Sequence, residues 1–61
     1  MEKIKELRGL NNMTQEDLAL KLGVARTAVS MWETGESKPR LETLIQLSKI
    51  FNCSVDELLT K

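Results

Sequence analysis

Sixty-one residues make a single domain, 1–61, with a thin core, because a chain this short buries only about 60% of the surface its unfolded form exposes. Nine lysines and arginines balance nine aspartates and glutamates, so any basic face is local, and non-specific attraction to a polyanion is weak with a shallow salt slope. The absence of histidine and the presence of Cys53 as the one cysteine exclude an intramolecular disulfide and a cysteine–histidine catalytic pair and suggest no metal site, so no metal or cofactor is expected.

The apolar spacing is helical nearly throughout and shows no period-two alternation, which predicts an all-α fold of five short helices. The first runs from about Glu2 to Leu10, with Ile4 and Leu7 inward. Its opening, Met1-Glu2-Lys3-Ile4-Lys5-Glu6, lacks the apolar core of a signal peptide, and no apolar run is long enough to span a membrane, so the cytoplasm is the expected location. Asn11-Asn12 ends this helix, since asparagine tolerates the left-handed conformation. Thr14 opens the second, where Thr14-Gln15-Glu16-Asp17 resembles a capping box with Asp17 in the usual glutamate place. Leu18, Ala19 and Leu22 form its inner stripe, and Gly23 stops it.

The third helix covers about Ala25 to Thr34, with Val29 and Trp32 inward and Gly35 as its stop. Glu36-Ser37-Lys38-Pro39 is a loop, and Pro39 fixes the entry to the fourth helix, about Arg40 to Phe51. There Leu41, Leu44, Ile45 and Ser48 are expected to share the core face, with Phe51 beside them and Ile50 outside. After the turn at Asn52-Cys53, Ser54 caps a last helix whose apolar residues are Val55, Leu58 and Leu59. Cys53 reads as a small, half-buried hydrophobe.

A constellation around the second and third helices points to function. Helices that cross steeply over a tight turn need a small side chain at the crossing, a residue at ease with positive φ in the turn, and apolar filling in the wedge. Ala19, Gly23, and the group Leu18, Leu22, Val24, Val29 and Trp32 supply these in order. With Val29 and Trp32 inward, a step of about 100° per residue turns Thr27, Ser30, Met31 and Thr34 outward, with Arg26 at the flank. That face is neutral or cationic, and Glu33 lies off it. Arginine suits guanine, threonine and methionine suit thymine methyls, and serine is an adaptable partner.

Here the sequence resembles the Cro/cI-type (XRE-family) helix-turn-helix domain of phage repressors and bacterial regulators. The matching pieces are Ile4-x-x-Leu7-Arg8, Met13-Thr14-Gln15-x-x-Leu18-Ala19, Leu22-Gly23-Val24, Val29-Ser30-x-Trp32-Glu33-x-Gly35, Pro39, Leu44-x-x-Leu47, and Phe51-x-x-Ser54-Val55-Asp56-x-Leu58-Leu59. The resemblance implies a lambda-repressor-like DNA-binding domain with Gln15 to Thr34 as the helix-turn-helix. It implies that Gln15 binds a backbone phosphate and buttresses the recognition helix. Arg26, Thr27, Ser30, Met31 and Thr34 then read bases, Lys38 and Arg40 grip phosphates, and Arg8 pairs with Glu33 between the first and third helices. Ala25 departs from the pattern, standing where a serine or threonine often caps the third helix, and Asn12 replaces a common glycine.

The expected protein is not an enzyme. Cys53 lacks a histidine partner, and Asp56 and Glu57 are adjacent and diverge on their helix. It is expected to be a cytoplasmic, nucleoid-associated transcriptional regulator, a repressor that binds a palindromic double-stranded DNA operator as a homodimer. An antitoxin or other module that neutralises a partner protein is the alternative. The dimer interface is expected at Ile50, Cys53, Val55, Leu58 and Leu59, because a core this small cannot enclose every apolar residue of the last two helices.

Overall fold

The computed structural model describes residues 2–59. They form α1 (Glu2–Leu10), α2 (Gln15–Leu22), α3 (Arg26–Thr34), α4 (Leu41–Phe51) and α5 (Val55–Leu59), with no strand among the described residues. Apart from Ala25 and Arg40 at the starts of α3 and α4, the helix caps coincide with residues that local chemistry favours there. Thr14 and Asp17 make both halves of a capping box: the Asp17 amide donates to Thr14 Oγ1 at 3.0 Å, and the Thr14 amide donates to Asp17 Oδ2 at 2.9 Å. The shorter aspartate therefore completes the box that glutamate usually closes. The Thr14 amide first, and the Thr14 hydroxyl second, hold the Asp17 carboxyl below its ordinary pKa by hydrogen bonding to it.

Helices α1, α2, α3 and α4 each end in a residue at positive φ. Asn12 (55°) and Asn52 (53°) serve α1 and α4, while Gly23 (71°) and Gly35 (85°) serve α2 and α3. Turning the chain through this region lets later amides return to the last carbonyls: Met13 N–H to Arg8 O at 3.0 Å, Val24 N–H to Ala19 O at 3.0 Å, and Cys53 N–H to Ser48 O at 2.9 Å. Ser54 Oγ accepts the Glu57 amide at 3.1 Å and starts α5. Helix α5 has five residues, far too few to persist alone, so its packing sustains it.

The core joins all five helices: Ile4 from α1, Leu18 and Ala19 from α2, Val29 and Trp32 from α3, Leu44, Leu47 and Phe51 from α4, and Leu58 from α5. Leu7, Met13, Leu22, Val24, Ala28, Ile50, Cys53 and Val55 pack around it, half-buried. α3 packs on α2 and α1, while α5 packs on α4 and α1. The result measures 24 × 23 × 19 Å.

The core face of α4 differs from the expected one. Leu41 is 67% exposed and Ile45 is 42% exposed, whereas Leu47 is fully buried and Ile50 packs against the core. The cause is that α4 carries apolar residues around most of its circumference, so two stripes compete. The polar residues decide between them. Glu42 and Lys49 project in nearly the same direction, and Leu44, Leu47 and Phe51 lie roughly opposite. Leu41 and Ile45 form one flank of this face and Ile50 the other.

Candidate nucleic-acid interface

The site is built on α3. Val29 and Trp32 are buried and fix the rotation of the helix about its axis. Arg26, Thr27, Met31 and Thr34 are thereby left exposed, with Ser30 half-buried at the edge of their face. Met31 is 39% exposed and presents its thioether and methyl group on this face. Ala25, at the N-cap with extended backbone (φ −73°, ψ 148°), makes no side-chain cap bond. The leading amides of α3 thus have no side-chain acceptor from the cap, and they lie beside Arg26 and Thr27.

A clamp behind α3 sets its position. Arg8 of α1 meets Glu33 of α3 side-on, with Nε to Oε2 at 2.8 Å and Nη2 to Oε1 at 3.2 Å. The third arm, Nη1, donates to the Met13 carbonyl at 2.8 Å. Gln15, the first residue of α2, donates from Nε2 to Glu33 Oε1 at 3.0 Å. Arg8 and Glu33 together therefore tie α1, the turn before α2, and α2 itself to α3. The Arg8 and Glu33 side chains are 16% and 5% exposed, so the pair is largely withdrawn from water. Burial acts to raise the Glu33 pKa, but the bonds from Arg8 and Gln15, aided by the charges of Arg8 and Lys5, outweigh it and hold the carboxyl below its ordinary value. The bond to Glu33 raises Arg8 in turn. The clamp also explains why Glu33, though on α3, does not bring a negative charge to the exposed face.

After Gly35 the chain folds back on the last turn of α3, with the Ser37 amide donating to the Met31 carbonyl at 3.3 Å. Pro39 is buried and anchors the loop. Lys38 and Arg40 stand exposed on either side of it. Together with Val24, Trp32, Pro39, Glu42 and Thr43 they line a shallow depression of about 320 Å³. Arg40 is the N-cap of α4 and makes no side-chain cap bond, so the first amides of α4 and these cations together suit an anionic oxygen. Thr43 is a candidate ligand that the sequence reading missed. Its signal was available, because it lies in the first turn of the helix that Pro39 introduces.

A helix-turn-helix family model matches residues 4–58, from α1 into α5 and across the whole clamp. The chain belongs to the XRE-type helix-turn-helix family of DNA-binding transcriptional regulators. Similar proteins include the HTH-type transcriptional activator BcrR of Enterococcus faecalis, 49% identical over 97% of this chain. Control protein C.SmaI of Serratia marcescens is 42% identical over 98% of the chain, and repressor protein C2 of Salmonella phage P22 is 40% identical over 95%. The chain spans 29% of BcrR, 27% of C2 and 71% of C.SmaI. No solved structure matches significantly.

Within this XRE-type domain the remaining sequence-derived residues fall into separate groups. The face expected to make the dimer is only partly present. Leu58 is fully buried in the core and Ile50 is packed against it, which corrects the placement of both on a free surface. Leu59 remains 59% exposed, and Cys53 and Val55 are half-buried. Leu58 and Leu59 are adjacent on α5, so burying one turned the other out. Burial, aided by the charge of Glu57, also raises the Cys53 thiol above its ordinary pKa. Among the described residues no helix is long and apolar enough to cross a membrane, and no cluster of side chains fit to hold a metal ion occurs.

Proposed function

We propose that this domain binds a two-fold symmetric operator as a homodimer, reads it in the major groove with α3, and represses transcription by occupying it. The observation that carries this reading is the exposed face of α3, where Arg26, Thr27, Ser30 and Met31 lie together without a carboxylate, held by core packing in front and by the Arg8–Glu33–Gln15 clamp behind. In this reading Arg26 addresses guanine O6 and N7, Thr27 and Met31 meet thymine methyls, and Ser30 adapts. The Thr34 hydroxyl already donates within the protein, so Thr34 offers its methyl group. Gln15, Lys38 and Arg40 take phosphates and fix register.

One such domain covers too little DNA for high specificity, so two-fold pairing on half-sites about 34–36 Å apart follows. Leu59, with Cys53 and Val55 beside it, is the proposed dimer contact. It lies on a helix that packs on α4 and α1 rather than on α2, the main neighbour of α3 together with α1. Repression needs nothing beyond occupancy of the operator, whereas activation needs a further contact with the transcription machinery. The mostly polar face of α3, to which the helix itself contributes no exposed carboxylate, also favours DNA over the partner protein that an antitoxin would neutralise. The proposed location is the cytoplasm, at the nucleoid.

Selection from a random DNA pool tests this, followed by a reporter promoter carrying the selected site. A two-fold motif with half-sites about one helical turn apart, and lower reporter expression, are expected. Failure to enrich any motif rejects the DNA reading, a single asymmetric half-site rejects the dimer, and raised expression rejects repression.

A further inference from the structure

We infer that Glu36 is a specificity-determining residue, a carboxylate stationed at the trailing end of the reading face that penalises DNA unless a base amino group meets it. This rests on the proposed DNA reading of α3 and deepens it. The observation is a hydrogen bond from Thr34 Oγ1 to Glu36 Oε1 at 3.2 Å. The same hydroxyl lies 3.2 Å from the Met31 carbonyl, and the Ser37 amide returns to that carbonyl. The Ser37 amide therefore ties the loop back onto the last turn of α3, and the Glu36 carboxylate lies beside the Thr34 hydroxyl, whose one hydrogen it shares with the Met31 carbonyl. Both residues are exposed, so the carboxylate is open to whatever lies against that end of the helix. Glu33 is neutralised in its clamp and Glu42 faces the depression beside Arg40, whereas Glu36 lies against a residue of the reading face.

The chemistry of DNA makes such a group selective. A carboxylate accepts hydrogen bonds and donates none. In the major groove the amino groups are cytosine N4 and adenine N6, while guanine and thymine present O6, N7 and O4 acceptors at the corresponding edges. Facing cytosine or adenine, Glu36 is compensated; facing guanine, thymine or a phosphate, it is a desolvated charge without a partner. With no net charge on the chain to favour indiscriminate binding, such a penalty widens the gap between operator and other DNA.

The test is parallel selection with the 61-residue chain and its Glu36→Gln and Glu36→Ala variants, with affinities measured on the selected site and on unrelated duplex. The unmutated chain should select cytosine or adenine at one outer position of each half-site. Both variants should broaden that position, and the ratio of operator to non-specific affinity should fall about fivefold or more. Helical circular dichroism should be unchanged, since the side chain is exposed. An identical motif from all three proteins, with every affinity shifted by one common factor, overturns the inference and leaves Glu36 as a general surface charge. If the unmutated chain enriches no motif, the DNA reading itself has failed; a motif without a preference at that position defeats only the role of Glu36.

Discussion

Arg26 stands in the first turn of α3, exposed, next to an N-cap that brings no side-chain oxygen of its own. If it forks onto a guanine, Arg26→Ala weakens operator binding by about 1–3 kcal/mol and relaxes one base pair. An equal loss on every sequence, measured by competition, would instead make it a phosphate ligand. Ala25 offers a complementary test of stability. Its backbone is already in the extended N-cap conformation, so Ala25→Ser has only to supply an oxygen for the α3 amides and should stabilise the domain by roughly 0.5–2 kcal/mol. Denaturant titration reads this directly, and no gain in the midpoint would show that the α3 amides have other acceptors. At this scale the sequence was informative. Thr14, Asn12, Gly23, Gly35 and Asn52 each stand where backbone chemistry requires that kind of residue. The bond between Thr34 and Glu36 was not legible, because it depends on how the loop after Gly35 folds back.

The Arg8–Glu33–Gln15 clamp belongs to the scale of elements, since it joins three helices through one carboxylate. Removing either charge strands the other in a largely buried site, so Arg8→Ala and Glu33→Ala should each cost more than a surface pair would, and the double variant should lose less than the sum. Additive losses in the double-mutant cycle would contradict the coupling. Its pH dependence has a definite sign. Glu33 and Asp17 are both held below their ordinary values. Their contribution is therefore complete above the unfolded carboxylate range, near ~4, and is lost as pH falls through the lowered folded values. Acid titration of stability should show this decline, and Glu33→Gln should flatten it. In the loop, Lys38→Ala and Arg40→Ala should each reduce the salt slope of DNA binding by about one without changing the motif; unchanged slopes would remove the loop from the interface. Helix boundaries were readable from caps, but the core face of α4 was not readable from its apolar residues alone. Leu41 and Ile45 fit an inward stripe as well as Leu47 does, and Glu42 and Lys49 opposite the core were the deciding signal.

At the scale of the whole molecule, a core built from five helices leaves Leu41, Ile45 and Leu59 on the surface. Which apolar flank stays uncovered depends on how α4 and α5 settle on α1, a long-range property that no local pattern encodes. Leu58 and Ile50 illustrate this, having been taken up by the core instead of the surface. With Leu59 as the main remaining apolar group on α5, the dimer contact is small, and DNA should reinforce it by linkage. Leu59→Glu should keep the helical circular dichroism and abolish cooperative binding to a full palindrome; cooperative binding by this variant would place the dimer contact elsewhere. The central claim is that the exposed face of α3 meets the base edges. The most direct measurement is a nuclear magnetic resonance titration of the isotopically labelled chain with the selected operator duplex. The account predicts the largest shifts at Arg26, Thr27, Ser30 and the Met31 methyl group, smaller ones at Gln15, Lys38 and Arg40, and intermolecular contacts from Met31 to thymine methyls. Shifts concentrated on α1 or α5, with the α3 side chains unmoved, would contradict it.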